Sequence, residues 1–235
     1  MEVRVFSWAP FLGIRFRTCW KAGASHTSPP GALVANHVHQ GDLPSDITFS
    51  GAVAVDTETM GLSIARDRLC VVQLSAGDGE CHLVQVRAPY DAPNLKAIFT
   101  DKSLTKIFHF ARFDLAMILK HLGVRCEPAF CTRTVSKLCR TNTDRHGLKD
   151  LCRDYLGIEI SKQQQSSDWA AETLKPEQIE YAAADVLYLH KLMSEMNYLL
   201  DREGRRDLAE ACFRFLPDRA ALDVAGWPDE DIFAH

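Results

Sequence analysis

Short apolar runs separated by turn residues characterise the chain after residue 50. Residues 52–58, 68–75 and 80–86 are rich in valine, leucine and other strand-forming residues, and glycine, serine or aspartate lies between them. Runs of this length with turn signals between them favour antiparallel pairing. The pattern predicts a three-stranded antiparallel meander. Residues 105–110 predict a further, fully buried strand.

The spacing of apolar residues becomes helical after the meander. Within residues 112–123 the apolar positions recur every three or four residues, which predicts a helix that ends at Gly123. Further helices are predicted over residues 93–101, 132–140 and 147–157, and a long one from Pro176 to about Glu203. The polar segment 162–169 is predicted to be a loop.

Antiparallel strands followed by helix–strand crossovers fit an RNase H-like sheet. The predicted fold class is α/β, with a mixed five-stranded sheet and flanking helices in a single domain. We expect this domain to span residues 41–216. Residues 217–235 are predicted to form a C-terminal tail that packs on the domain or at a subunit interface.

Residues 1–40 differ from the rest of the chain in composition. They carry several basic residues, a single acidic residue and the turn-rich stretch KAGASHTSPPG. Pro10 and Gly13 interrupt the apolar patch between Phe6 and Ile14, so we predict a disordered N-terminal extension. An organellar targeting segment and a later translation start near Val34 are the alternatives.

Composition excludes several classes of protein. Hydrophobic residues make up 46% of the chain and charged residues 25%, which is typical of a soluble domain with a core. No apolar run approaches the roughly 20 residues of a membrane-spanning helix, so no membrane partner is expected. Eight cysteines form no C-x-x-C pair and are predicted to be buried, reduced thiols of a cytoplasmic protein.

The formal net charge of −4 argues against a protein that coats long duplex DNA through a basic face. A site built from carboxylates contributes to that negative charge. Two bound divalent cations would neutralise it, so a short nucleic acid remains an acceptable partner.

Asp56 and Glu58 follow the buried run AVAV and are alternate residues of one predicted strand. Alternate side chains share a face, so the two carboxylates point the same way. Close carboxylates repel one another unless a cation lies between them. Two solvent-facing acids at the end of an edge strand are the alternative interpretation.

Two later segments carry further acidic residues. Asp114 opens the helix after the predicted strand 105–110, where an acid can also simply stabilise the helix N-terminus. Tyr181 and Asp185 are four residues apart on the long helix and so lie on one face. Three alanines lie between them, and such small residues permit close approach of the helix to the sheet.

Oxygen ligands without a histidine cluster favour Mg²⁺ or Mn²⁺ over zinc. Two such ions about 4 Å apart can activate water and stabilise the leaving oxygen of a phosphodiester. The predicted metal ligands are Asp56, Glu58, Asp114 and Asp185, with Asp114 in an outer position. The phenol of Tyr181 is predicted to orient the attacking water.

These motifs resemble those of a known family. DTE at residues 56–58, FARFD ending at Asp114 and Y-x-x-x-D at residues 181–185 are similar to the DEDDy 3′–5′ exonucleases, the RNase D-like branch of the DnaQ superfamily. The similarity extends over residues 43–216. Within this branch the chain most resembles the nanoRNase C family, bacterial enzymes that degrade diribonucleotides.

The resemblance implies the catalytic residues, the oligomer and part of the substrate site. It implies that Asp56, Glu58, Asp114, Tyr181 and Asp185 are catalytic, that the protein forms an octameric ring, and that Leu62 wedges between two bases. Met60 stands where the family has leucine. Candidate substrate-binding residues are Leu62, His109, Lys162, Gln163, Gln164, Ser166 and Ser167. Arg145, His146 and Lys149 lie near this loop in sequence as further donors, and His109 is given no catalytic role.

The predicted function is therefore a Mg²⁺- or Mn²⁺-dependent 3′–5′ exoribonuclease that uses two ions and cleaves 5′-phosphorylated diribonucleotides. The main alternative is a broader RNase D-like exonuclease that acts on longer RNA or single-stranded DNA. An inactive RNA-binding scaffold would have lost one of the acids, and none is lost here. An internally cutting RNase H-like nuclease would not need Y-x-x-x-D on the last long helix.

Overall fold

Six strands form one mixed sheet in the spatial order β1-β4-β3-β2-β5-β6. The computed structural model describes residues 35–161, 163, 164 and 166–234. The strands are β1 (Ala35–Gln40), β2 (Ala52–Thr59), β3 (Leu69–Ser75), β4 (Glu80–Gln85), β5 (Thr105–Phe108) and β6 (Ala129–Cys131). Strands β2, β3 and β4 pair antiparallel, as the meander predicted. The remaining pairs, β1 with β4, β2 with β5 and β5 with β6, are parallel.

Helices cover both faces of the sheet. They are α1 (Pro93–Thr100), α2 (Ala111–Leu122), α3 (Thr132–Cys139), α4 (Leu148–Leu151), α5 (Pro176–Leu187), α6 (Leu189–Glu203) and α7 (Arg206–Ala225). Helix α4 continues as a π-helical turn over Cys152–Leu156. The described residues form a single α/β domain, which confirms the predicted fold class.

Alternation along β2 divides the core into two layers. Val53 and Val55 face one side, where they pack with residues of α1 and α2. Ala54 faces the other side, where it packs with residues of α3, α5 and α6. Asp56 and Glu58 lie on the same face of β2 as Ala54, so both point toward the α5 side of the sheet.

The sheet has six strands where five were predicted. Strand β1 has the sequence ANHVHQ and, among the described residues, pairs only with β4. It lies at the edge of the described sheet, with exposed positions and no apolar alternation. The predicted domain boundary at residue 41 falls just after β1, which adds residues 35–40 to the domain. Residues 1–34, the rest of the predicted extension, lie outside the described residues.

One predicted helix and the start of the predicted tail also differ from the structure. The predicted long helix over 176–203 is two helices, because Tyr188 has φ −103° and ψ −4° and separates α5 from α6. The predicted tail from residue 217 begins inside α7, which continues through the buried Pro217 as far as Ala225.

Within the described part of the chain, no helix combines the length and the apolar content needed to cross a bilayer. Seven cysteines lie in that part, and all are free thiols. Six of these are buried, and Cys212 is partly exposed.

Candidate active site

The end of β2 places two carboxylates on the face of the sheet that α5 covers. Asp56 and Glu58 are separated by one residue, so their side chains share that face. Asp56 lies directly opposite Gln73 of β3, and the pairing register shifts between Glu58 and Thr59. Both acids are partly exposed, although the strand residues before them are buried.

Helix α5 adds a third carboxylate and a phenol. Ala182 and Ala183 are buried against the sheet, and their small side chains let the helix approach closely. Carboxylate oxygens of Asp56, Glu58 and Asp185 all lie within 4.8 Å of one another. Tyr181 lies one helical turn before Asp185 and packs beside the buried Trp169, with ring centroids 6.0 Å apart.

Asp114 lies in the first turn of α2 and is almost fully buried. It lines the same cleft as the other acids but is outside the group of three. Its Oδ1 accepts a hydrogen bond from Oγ1 of Thr57 at 2.6 Å. Thr57 faces the α2 side of β2, so this hydrogen bond joins the strand to the helix beside the carboxylate cluster.

Burial and mutual repulsion raise the pKa values of these carboxyl groups. Burial raises the pKa of Glu58 to about 9, and the charges of Asp185 and Asp114 add to the shift. The pKa of Asp56 is raised well above its usual range, by burial first and then by Asp114, Asp185 and Glu58. Burial raises the pKa of Asp114 to about 7 against the opposing effect of the Thr57 hydrogen bond. A cation bound among these groups would favour their ionised forms.

The phenol of Tyr181 stays protonated at physiological pH. Burial raises its pKa, and the neighbouring charges of Asp185, Glu58 and Asp56 raise it further. A neutral phenol can donate or accept a hydrogen bond, so it is suited to orienting a water molecule rather than to removing a proton.

The donor atoms fit a hard divalent cation. The group of three offers only carboxylate oxygens, which Mg²⁺ and Mn²⁺ prefer and which zinc sites rarely use alone. Asp56 and Glu58, alternate residues of β2, meet Asp185 of α5 across the strand–helix interface. Asp56, Glu58 and Asp185 are therefore the residues that would hold such an ion.

A cleft of about 540 Å³ opens over the carboxylates. Among the predicted substrate-binding residues, Leu62, His109, Ser166 and Ser167 line it. Gln163 and Gln164 do not line the cleft, although Oγ of Ser167 donates to Oε1 of Gln164 at 2.6 Å. Lys162 lies outside the described residues. Leu62 is 83% exposed.

The nearby donors considered from sequence are distributed differently. Lys149 lines the cleft, and Arg145 does not. His146 is buried, and its Nδ1 lies 2.8 Å from Oγ of Ser136, so its side chain points into the protein. His109 lines the cleft, with its Nδ1 2.9 Å from Oγ1 of Thr132.

Sequence reasoning missed Phe110 and Arg133, which also line the cleft. Phe110 precedes α2 in the left-handed conformation, with φ 73°, and half of its surface is exposed. The guanidinium carbon of Arg133 lies 5.0 Å from its ring centroid. Residues 105–110 were predicted to be one strand, so no turn was expected at Phe110. In the structure β5 ends at Phe108. A strained, exposed aromatic residue is typical of a functional site.

The chain matches a family model described as 3′–5′ exonuclease over residues 40–201. Its fold is also similar to solved structures of NrnC from Brucella melitensis. One of them is 55% identical, with a TM-score of 0.83, over 86% of this chain and 98% of that one. Another, of NrnC bound to pGG, is 54% identical with a TM-score of 0.83 over 86% of this chain and 99% of that one.

Curated relatives are ribonucleases D. The protein from Acidiphilium cryptum (strain JF-5) is 35% identical over 156 residues, which are 66% of this chain and 39% of the relative. The chain spans less than half the length of the curated relatives it matches. The family match, the NrnC structures and the ribonuclease D relatives agree, and the chain belongs to the 3′–5′ exonuclease family, in the ribonuclease D-like branch that includes NrnC (nanoRNase C).

Proposed function

We propose that the chain is a divalent-metal-dependent 3′–5′ exoribonuclease that cleaves very short RNAs, chiefly 5′-phosphorylated diribonucleotides, to mononucleotides. One observation carries the activity: three carboxylates from β2 and α5 converge within 4.8 Å at the floor of a cleft, beside the phenol of Tyr181. Membership of the 3′–5′ exonuclease family supports the direction of cleavage.

The proposed site holds two Mg²⁺ or Mn²⁺ ions. When bound, the ions supply charge stabilisation for the phosphodiester and for the leaving oxygen. Asp56, Glu58 and Asp185 would hold the ions, with Asp114 in an outer position. A solved structure of Brucella melitensis NrnC with bound Mg²⁺ supports the choice of metal.

The chain's own groups have separate roles in this proposal. The phenol of Tyr181 holds the attacking water by a hydrogen bond, and the hydroxyl of Thr57 fixes the orientation of Asp114. Leu62 and Phe110 provide apolar surfaces at the cleft against which bases can stack. Ser166 offers a hydroxyl donor for a terminal phosphate, and the hydroxyl of Ser167 becomes one when it releases Gln164.

Two observations support a preference for short substrates. A cleft of about 540 Å³ has the size of a small-molecule site, for which 300–1,000 Å³ is usual. A neighbouring structure that is 54% identical over most of the chain shows NrnC bound to pGG. An exonuclease for longer RNA or single-stranded DNA, as in the wider ribonuclease D group, is the alternative.

The test compares turnover of 5′-phosphorylated RNA two-mers and seven-mers, and of a DNA two-mer, with Mg²⁺ present. We expect the RNA two-mer to be cleaved most rapidly, and Asp56→Asn to abolish all cleavage. Equal rates on two-mers and seven-mers would support the broader exonuclease. Activity that survives Asp56→Asn would remove the site assignment.

We also propose that the protein works in the cytoplasm as an octameric ring. The buried, reduced thiols are typical of a cytoplasmic protein. Large apolar side chains are exposed on α7 and on the segment after it, as expected of an assembly surface. These are Leu208, Phe215, Trp227, Ile232 and Phe233. Light scattering tests the proposal, and a monomer would contradict the ring.

A further inference from the structure

Three histidines stack on the outer edge of the sheet, on strands that are separate from the carboxylate-bearing β2. His37 and His39 are alternate residues of β1 and so share a face. His82 of β4 lies directly opposite His37 in the parallel pairing of the two strands. The ring centroid of His82 lies 5.0 Å from that of His37 and 5.4 Å from that of His39.

The nitrogen and oxygen atoms of this cluster form two close pairs. Nε2 of His39 lies 3.2 Å from Nδ1 of His82. Nε2 of His37 lies 3.4 Å from Oε2 of Glu80, which precedes His82 on the same face of β4. Two ligands bound to one tetrahedral zinc ion at 2.0–2.1 Å lie roughly 3.3 Å apart. Each pair therefore already has the separation of two atoms that share an ion.

The ligand type and the nearby charges suit a zinc ion. Neutral imidazole is the ligating form, and it suits zinc better than magnesium. Negative charge from Asp46 acts on His39, and negative charge from Asp78 and Glu80 acts on His82, which favours a cation there.

We propose that His37, His39 and His82 form a zinc-binding site, with Glu80 as the candidate fourth ligand. The pair formed by His39 and His82 is the preformed half of the site. The side chains of His37 and Glu80 are 43% and 53% exposed, so both can turn toward that pair without displacing the core. Two alternate histidines on one strand and a third on the next strand are one way to present three imidazoles to a tetrahedral ion.

The ion would fasten the edge strand of the sheet. Within residues 35–234 as far as they are described, β1 pairs with β4 alone, so one side of it has no strand neighbour there. Ligands from both strands would link β1 to β4 through the metal, in addition to the backbone hydrogen bonds. This site is independent of the carboxylate cluster, and it requires neither nuclease activity nor the proposed substrate.

The experiment uses the full chain, freed of metal with a chelator and dialysed against Zn²⁺ in the presence of excess Mg²⁺. Excess magnesium competes for the carboxylate cluster, and comparison with His39→Asn isolates the zinc that imidazole ligands hold. We expect the wild-type protein to bind one more zinc ion than His39→Asn. Loss of the His39 imidazole should weaken zinc binding at this site by about 100-fold or more. His121→Gln, a histidine of α2 outside the cluster, is the matched control and should bind zinc like the wild type.

A second measurement remains informative if His39→Asn does not fold. In protein labelled with ¹⁵N-histidine, zinc should shift the imidazole signals of His37, His39 and His82 and leave that of His121 in place. Zinc should also raise the melting temperature of the wild-type protein. His37→Gln changes a partly exposed side chain and should lose this rise. Wild-type protein that binds no zinc under excess Mg²⁺, or variants that bind it as the wild type does, would overturn the proposal.

Discussion

Oγ1 of Thr57 donates a hydrogen bond of 2.6 Å to Oδ1 of Asp114, across the interface between β2 and α2. Both residues are buried, and Thr57 lies between the two carboxylates that β2 contributes to the cleft. Strand β2 thus supplies Asp56 and Glu58 on the face that α5 covers. On its other face it supplies the Thr57 hydroxyl, which holds Asp114 of α2. The position of Asp114 relative to Asp56 depends on this hydrogen bond.

Replacing Thr57 by valine keeps the shape of the side chain and removes its hydroxyl. We expect Thr57→Val to lower the free energy of unfolding by about 1–3 kcal/mol, because a buried carboxyl group loses its partner. We also expect kcat on an RNA two-mer to fall. Denaturant titration and steady-state kinetics provide the measurements. Thr100→Val, an exposed helical threonine, is the control, and a larger loss there would contradict the explanation.

Tyr181→Phe should lower kcat by about 100-fold and leave the affinity for Mg²⁺ nearly unchanged, because the phenol orients water and contributes no metal ligand. Steady-state kinetics and metal titration separate the two effects. Tyr188→Phe is the matched control, since Tyr188 lies one residue beyond α5 and does not line the cleft. Equal effects of the two substitutions would exclude the proposed role of Tyr181.

In a chelator, the free energy of unfolding should fall as the pH rises from about 5 to 9. The pKa of Glu58 is raised to about 9 and that of Asp114 to about 7, so the folded protein holds protons that the unfolded chain has released. Each such group destabilises the folded state by about 1.4 kcal/mol per pH unit between its unfolded and folded pKa values. Below the pKa that each group has in the unfolded chain, this loss of stability is absent, because the group is protonated in both states.

Denaturant titrations at several pH values test this dependence. Glu58→Gln should reduce the slope because it removes one of the groups with a raised pKa. Saturating Mg²⁺ should reduce the slope as well, since the cation stabilises the ionised carboxylates. A free energy of unfolding that rises with pH in the chelator would contradict the assignment of raised pKa values.

Gln73 is fully buried, and neither polar atom of its side chain has a hydrogen-bond partner among the described residues. Gln73→Met should therefore leave the free energy of unfolding unchanged or raise it by about 1 kcal/mol, because an unpaired buried amide is removed. The matched control is Gln85→Met on the neighbouring strand. The amide of Gln85 contacts Ala171 and Gln40, so its loss should destabilise by about 1–3 kcal/mol.

Denaturant titrations should show a smaller loss of unfolding free energy for Gln73→Met than for Gln85→Met. If Gln73→Met destabilises as much as Gln85→Met, the amide of Gln73 contributes a stabilising interaction. That outcome would contradict the prediction.

Asp223 of α7 is fully buried and paired with two arginines. Nε of Arg112 lies 2.6 Å from Oδ2 of Asp223, and Nη2 of Arg219 lies 3.0 Å from Oδ1. Arg112→Met should destabilise by about 2–3 kcal/mol, because it leaves a buried charge with one partner instead of two. Arg125→Met breaks an exposed pair with Asp218 and should cost less than about 1 kcal/mol. Similar losses in both variants would contradict this distinction.

Much of the fold could be predicted because the central elements carry strong periodic signals. The meander β2-β3-β4 and helix α2 follow from runs of apolar residues with clear ends. Strand β1 could not be predicted, since its side chains are mostly polar and its place depends on pairing with β4. Strand β6 has only three residues, too few for a periodic signal. The predicted tail from residue 217 is helical as far as Ala225, because α7 accommodates Pro217.

The candidate site could be predicted only where residue spacing determines geometry. The separations of Asp56 from Glu58 and of Tyr181 from Asp185 place each pair on one face of a strand or helix. The meeting of β2 with α5 depends on tertiary packing, for which small residues such as Ala182 gave only an indirect signal. No sequence pattern predicted the position of Phe110, because an aromatic residue rarely adopts a left-handed backbone conformation.

The left-handed backbone at Phe110 implies that this corner of the protein is less stable than it could be. A glycine there would adopt φ 73° without the penalty of roughly 1–2 kcal/mol that an L-residue incurs. An aromatic ring half open to water recovers little of that penalty by burial. Relieving this strain with glycine would therefore also remove an aromatic surface that we propose contacts the substrate bases.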